Sequence, residues 1–502
     1  MKSETRVAFN TFLMYVKAVV SAGVTFFATR IVLAQLGEDG FGVYNLVASI
    51  VGMLSFFSTS ASIAAQRYMS HALGMNDRER YYQICRIASK ISFVLGIVFV
   101  VVIEIIVFFF ADTLNVPPDK LYDVKIIFQC VAVSVFFTIV IAVPYESQII
   151  ANEDLFVVAI IYIVESIAKL GVAFLLFYVT ADKLIVYSIL ISAIYVLSNV
   201  YKMLWCRRYG RSVSPKPLDM SLLREMARFS GWTSLEPVCV IFSSQGMNWI
   251  LNVFGGVVVN TAYAITNQVS GQMNFVTASL MGVLNPLIMK SEGGGDKERA
   301  IRLSIFGCKM SFFLLAFFVT PVIVEMPYIL DFWLEEVPEY TVIFCRLVLV
   351  SMLIMQLTYG LQSGIIATGN IRHYQTVMSI IRLIALPTVY LLLKVGYPIY
   401  WALVSFSVVE FMGMIVRLYY AQQILGIDVK RFMVSVMSKL ILSCVIVLSA
   451  IYGFTIWVGS ESLWRLIATV LISSALYLSL FRWLILDKTE YNQVKSILLR
   501  AK

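Results

Sequence analysis

The feature that most constrains this chain is a series of long apolar runs, among them residues 91–111, 126–143, 184–201, 310–324, 383–393 and 440–458. About 18–20 apolar residues in a row cross a bilayer as a helix, and the shorter runs reach that length once mildly polar neighbours are included. Lipid offers no partner to a backbone amide, so each run must satisfy its own backbone by coiling. The period-two alternation of a membrane β-barrel is absent. Only 14% of residues are charged and mean hydropathy is +0.85, too little charge to solvate the surface of a 502-residue soluble protein. The expected fold is therefore an all-α polytopic membrane protein.

The pattern divides into about fourteen helices: 7–33, 43–65, 84–111, 124–150, 155–178, 184–205, 229–254, 257–288, 300–324, 341–367, 376–394, 398–423, 436–458 and 463–486. The first segment is too long for a cleavable signal and carries Lys17 and Arg30. Charge sorting gives an orientation. With the N-terminus in the cytoplasm, roughly 23 Lys and Arg residues fall inside and 4 outside, the sorting that sets membrane topology. Arg67, the run from Lys202 to Arg228 and Lys290 to Arg302 count as inside; Lys120, Lys125, Lys183 and Lys394 fall outside. The segment "EMPYILDFWLEEVPEY" (325–340), with five acids and no base, also falls outside. An even number of helices puts both termini in the cytoplasm of a plasma (inner) membrane protein. The net charge of +9 then reflects topology and not nucleic-acid binding.

The chain contains a repeat. "NDRERYYQICRIASKISF" (76–93) resembles "GDKERAIRLSIFGCKMSF" (295–312) at an offset of 219, and "IIAN" (149–152) resembles "IIAT" (365–368) at an offset of 216. Helices 1–6 and 7–12 thus read as two copies of one unit. Six is even, so the copies share an orientation, as in transporters built from parallel repeats with a substrate path between them. The expected organisation is an N-lobe at 1–205, a cytoplasmic linker at 206–228, a C-lobe at 229–424, and helices 13–14 with a tail at 425–502.

Polar residues align on the first two helices of each copy. Helix 1 carries Asn10, Lys17, Ser21 and Thr25. Helix 2 carries Asn45, Ser49 and Thr59. Helix 7 carries Gln245, Asn248 and Asn252, and helix 8 carries Asn260, Asn267 and Asn274 with Gln268 and Gln272 beside them. Helical periodicity places each set on one stripe. Amides glue helices together as readily as they line water, but four stripes in repeat-equivalent places point to a shared hydrated cavity. Amides and hydroxyls suit sugars, and a cation at Lys17 suits phosphate. Lys17 has two other readings: snorkelling to the interface, or pairing with an acid such as Glu236. Arg30 lies on another face from Lys17 and either serves the cavity or snorkels outward.

One apolar helix, "IIYIVESIAKLGVAFLLF" (160–177), holds Glu165 and Lys169 near mid-membrane. Four residues apart, the two side chains can meet, which offsets much of the cost of burying them. A structural pair and a proton- or sodium-coupling site both fit.

Chemistry is sparse. The two histidines, His71 and His373, fall in loops, the seven cysteines are scattered, and no P-loop, nucleophile elbow or metal-ligand cluster occurs. "SEGGGDKE" (291–298) has the composition of a turn. No segment outside the membrane is long enough for a catalytic domain. A transporter without cofactor or metal is expected, not an enzyme.

Against this background "RIVLAQLGEDGFGVYNLV" (30–47), "IIANEDLFVVAIIYIVESIAKL" (149–170) and "QGMNWILNVFGGVVVNTAYAITNQVSG" (245–271), followed by "LNPLIMKSEGGGDKERA" (284–300), resemble polysaccharide flippases of the multidrug/oligosaccharidyl-lipid/polysaccharide exporter superfamily, of which the MATE transporters are also members. The resemblance covers roughly the first 425 residues. It implies a Wzx-like carrier of undecaprenyl-diphosphate-linked oligosaccharides for O-antigen or capsule, working by alternating access among membrane lipids and beside glycan polymerase or assembly proteins. It also implies that helices 13–14 offer a lipid groove. The lipid II flippases among the superfamily's members place several arginines in the cavity, whereas the sequence here points most clearly to Lys17. An ion-coupled exporter of drugs or small cations in the same superfamily is the alternative. A membrane acyltransferase or polysaccharide ligase would need an embedded histidine or a large outer loop.

Overall fold

The computed structural model describes residues 56–110, 121–209, 217, 219–334 and 337–481, with scattered helical positions between 10 and 44. Arg30 and Asn45 lie outside the described residues, as does the side chain of Asn260. The described residues are helical and include no strand. Ten helices are long and apolar enough to cross a membrane, or eleven if a bent pair counts as one span. We number the helices α1 (positions within 10–36), α2 (Phe56–Gly74), α3 (Arg78–Phe110), α4 (Leu121–Phe137, continuing through a π-turn at Thr138–Ala142 into Val143–Ala151), α5 (Leu155–Leu175) and α6 (Lys183–Cys206). One continuous element, Met220–Gly293, breaks at Gly256 (φ 69°, ψ −164°), a conformation essentially restricted to glycine. The part before the break is α7 and the part after it α8. The remainder are α9 (Lys297–Val324), α10 (Thr341–Gln356 with Tyr359–Thr368), α11 (Arg372–Lys394), α12 (Trp401–Tyr420), α13 (Val429–Val458) and α14 (Leu463–Leu480).

Short polar residues start these helices. Asp182 accepts from the amides of Leu184 and Ile185 ahead of α6, and Asp219 accepts from Ser221 and Leu222 ahead of α7. Asp296, Asp428 and Ser462 do the same for α9, α13 and α14. Each answers amides that have no partner within their own helix. The cap at Asp219 starts α7 earlier than its apolar run suggests, so Arg224 and Arg228 sit on the helix and not in a linker.

The chain divides into two compact units, one of residues 10–234 with 289–295, the other of residues 235–288 with 296–502 and the first nine residues. In the first, Ile103, Ile127, Phe128, Ala132 and Leu184 join α3, α4 and α6. Ile149, Val157, Ile161 and Cys206 join α4, α5 and α6. In the second, α13 and α14 pack on α9 through Phe313, Ala316, Val319, Val447 and Tyr477. Inside lipid such cores gain close packing rather than water release. The outer faces are apolar too. Phe93, Val94 and Val101 on α3, Leu391 on α11, Tyr452 and Ile456 on α13 and Trp464 and Leu471 on α14 are all exposed, as lipid contact requires.

Two expectations need correction. Residues 341–367 do not form one helix: α10 bends by 46° between Gln356 and Tyr359. The two histidines sit on helices and not in loops, His71 on α2 and His373 on α11. The side-of-membrane sorting says nothing of burial: Lys202 and Arg67 are buried on their helices, and Glu325 is fully buried where Arg465 of α14 reaches it.

Candidate functional site

In the first unit, polar residues from α1, α4, α5 and α6 converge. Glu146 follows the π-turn of α4. Its carboxylate accepts from Lys202 Nζ of α6 at 2.7 Å and from the Tyr162 hydroxyl of α5 at 3.1 Å. Lys17 Nζ lies 3.8 Å from the centroid of the Tyr162 ring, and Lys202 Nζ lies 4.8 Å from it. A cation over an aromatic face is attracted by the ring quadrupole. One turn further along α5, Lys169 Nζ meets Glu165 Oε1 at 2.8 Å and donates to the Tyr195 hydroxyl at 2.9 Å. Ser198 donates to the other Glu165 oxygen at 3.1 Å. Lys17 is within electrostatic reach of Glu146, Lys202 and Glu165.

The cluster has a charge surplus. Lys17, Lys169 and Lys202 supply three cations against the carboxylates Glu146 and Glu165. Each carboxylate has its own lysine, and Lys17 has none within salt-bridge distance among the described residues. It is half-buried, where an uncompensated charge is costly and an incoming anion is strongly favoured. Its ammonium rests on the Tyr162 ring.

Other stripe members divide. Ser21 is joined to Ser166 of α5 at 2.9 Å. Asn10 is buried and its amide donates to the Glu153 carbonyl at 3.1 Å; it fastens a loop, because it lies at the end of α1 beside the α4–α5 turn. On α8, Asn267, Gln268, Gln272 and Asn274 are all exposed, while Ala262, Thr266 and Thr277 on the other side are buried. This arc presents amides outward, with Phe275 exposed beside Asn274. On α7, Gln245 and Asn252 are exposed beside Trp249 and Phe242, and Asn248 is half-buried.

The second unit holds a second charged cluster. Arg382 of α11 bridges Glu236 of α7 at 3.4 Å and Glu410 of α12 at 3.1 Å. Arg417, fully buried, lies 3.5 Å from Glu410 and donates to Thr358 at the bend of α10. Gln362 donates to Glu236 at 3.2 Å. Two guanidiniums face two carboxylates, so this cluster is neutral. Tyr374, Gln375, Ser379 and the Nε atoms of both arginines have buried polar atoms without a partner, a mixture of donors and acceptors suited to water.

The sequence reading missed Glu146, Lys202, Arg382, Glu410 and Arg417. Each is a charge inside an apolar span, Glu410 and Arg417 in the same one, which is itself a functional flag. The repeat also relates the positions of all but Glu410 to polar residues of the other copy. Glu146 and Gln362 are 216 residues apart, Lys202 and Arg417 are 215 apart, Glu165 and Arg382 are 217 apart, and Lys17 and Glu236 are 219 apart. The end of the π-turn of α4 at Ala142 and the bend of α10 at Thr358 are again 216 apart. Both copies distort one helix beside their charges, as in transporters with interrupted helices at the substrate.

The Glu165–Lys169 pair gives a direct test. Glu165→Gln leaves a lysine unpaired and Lys169→Met leaves a buried carboxylate; each is expected to destabilise by about 1–3 kcal/mol, and the double substitution to recover the loss. Thermal unfolding in detergent reads this. Single variants as stable as the parent would remove the pair from the structural account.

Comparison with known proteins follows the geometry. Residues 18–175 match the MatE family model. A stretch of 290 residues is 20% identical to the uncharacterized membrane protein EpsK of Bacillus subtilis (strain 168), and the match spans 57% of each chain. Among solved structures, MATE in the bent conformation superposes with a TM-score of 0.75 at 10% identity, covering 84% of this chain and 95% of that one. The outward-facing conformation of a multidrug resistance MATE family transporter gives 0.74 at 9% identity, covering 85% and 98%. A MOP superfamily transporter from Pyrococcus furiosus, described as having reversed polarity in its binding pocket, gives 0.71 at 9%, covering 85% and 98%. The chain is a multi-pass membrane protein, and its fold is that of the MATE structures it superposes on.

Proposed function

We propose that this protein is a flippase that carries an undecaprenyl-diphosphate-linked oligosaccharide, an O-antigen or capsule repeat unit, from the cytoplasmic to the outer leaflet by alternating access between residues 1–205 and 229–424. The observation that carries this reading is the cationic surplus at Lys17. A lipid-linked diphosphate supplies the missing anion, and the exposed amides of α8 suit its sugars. Both termini lie in the cytoplasm in this reading, the membrane is the inner one, and protons or sodium drive the cycle.

The fold is equally compatible with an exporter of drugs or small cations. That cargo needs an available carboxylate. Glu146 and Glu165 are each held by a lysine and Glu236 and Glu410 by arginines, so a cationic drug meets a surplus of its own charge. Proteoliposomes separate the two. The purified protein is expected to move a fluorescent undecaprenyl-diphosphate oligosaccharide between leaflets and to leave ethidium distribution unchanged. Ethidium export without lipid movement would replace the flippase reading by the exporter one.

A further inference from the structure

The end of α8 lies in a different compact unit from its beginning. Residues 257–288 group with the second unit, while 289–295 group with the first. There α8 crosses the end of α2 through two glycines. A Cβ at Gly74 would lie 2.0 Å from the carbonyl oxygen of Lys290, and a Cβ at Gly293 would lie 2.3 Å from that of His71. The contact is reciprocal in the repeat: Gly293 is Gly74 shifted by 219, and Lys290 is His71 shifted by 219. At these two glycines the crossing is backbone on backbone. One ion pair clasps it, from Lys290 Nζ to Glu153 Oε1 at 2.8 Å.

Glu153 has left-handed backbone, φ 64°. Its repeat counterpart, 216 residues on, is Gly369 at φ 83°. The turn after α10 thus uses the residue this conformation favours, and the turn after α4 uses a strained glutamate instead. Strain of that kind persists where the side chain has work to do. What glutamate adds over glycine here is the carboxylate that meets Lys290.

We propose that the Gly74–Gly293 crossing and the Lys290–Glu153 pair form a latch, which holds the end of α8 to the first unit in one transport state and parts in the other. Any movement of the two units must either carry residues 289–295 away from α2 or bend α8 upstream of them. The contact is built to part. An ion pair whose lysine is 43% exposed is a weak bond, and at the two glycines no Cβ stands between the helices. The proposal rests on the alternating-access reading above and not on the cargo.

The test uses full-length protein with Ser291→Cys, a buried position, labelled by a membrane-impermeant maleimide in inside-out and right-side-out vesicles. Glu153→Gly and Lys290→Gln are each expected to raise the labelling rate several-fold from the cytoplasmic face, with the Glu153→Gly protein no less heat-stable than its parent. Exchanging the charges, Glu153→Lys with Lys290→Glu, should bring the rate back towards the parent. Gly74→Ala, which drives a methyl group into the Lys290 carbonyl, should raise it as well. Rates unchanged by Glu153→Gly and Lys290→Gln would overturn the latch and make the crossing a permanent joint. Labelling raised only from the outer face would overturn the proposed orientation and leave the latch standing.

Discussion

Glu325→Gln is expected to destabilise the protein by about 3–5 kcal/mol, the range for breaking a buried ion pair. Glu325 follows α9 and is fully buried. Arg465, in the first turn of α14, reaches it with Nη2 at 2.7 Å and Nε at 3.1 Å, and Thr469 donates to it at 2.8 Å. Both carboxylate oxygens are therefore answered, and a planar guanidinium fits this forked arrangement better than an ammonium would. Glutamine keeps the volume but removes the charge, leaving Arg465 with only the half-exposed Glu461 at 3.6 Å. Arg465→Met leaves the opposite orphan and should cost a similar amount. The two together, with nothing charged left to bury, should recover most of the loss. Protease sensitivity in the connection around Gly459–Glu461 should follow the same order, since the pair fastens α14 to the α9 end of the core. Single variants with the parent's unfolding temperature would show that packing of Phe313, Thr320 and Tyr477 alone holds α14 in place.

That pair also marks where the sequence stopped being informative. Helix positions were legible because apolar runs are a local signal, and the cap at Asp219, which the runs do not show, moved the start of α7. The repeat was legible because its copies keep residues at fixed offsets. Glu165 and Lys169 were legible as a pair because four residues is one turn. Glu325–Arg465, Glu146–Lys202 and Arg382–Glu410 join residues 140, 56 and 28 positions apart, and no local period encodes them. Sorting charges by loop speaks to the side of the membrane, and it is packing, which the sorting does not see, that buries Lys202, Arg67 and Glu325. The bend in α10 escaped notice because its residues, "QLTYG" at 356–360, are mild enough to pass for continuous helix.

Lys17→Gln is expected to reduce flipping of a lipid-linked diphosphate by about 10–100-fold, with the protein present in the membrane at its normal level. Removing Lys17 leaves Lys169 and Lys202 against Glu146 and Glu165, a balanced set with nothing to offer a further anion. A hydrogen bond to a charged partner is worth about 1.5–3 kcal/mol, which corresponds to the stated loss. Stability should change little, because Lys17 has no ion-pair partner among the described residues to leave behind; it gives up only its place over Tyr162, worth about 0.5–1 kcal/mol in an accessible setting. Lys17→Arg keeps the charge and the ring contact and should retain part of the activity. Tyr162→Phe keeps the ring under Lys17 but removes the hydroxyl that donates to Glu146, so it should weaken the Glu146–Lys202 link and leave the surplus intact. The readouts are surface glycan in cells and leaflet exchange in proteoliposomes, each normalised to protein level. Normal flipping by a well-expressed Lys17→Gln protein would detach the surplus charge from the cargo, and the phosphate-bearing substrate would lose its support.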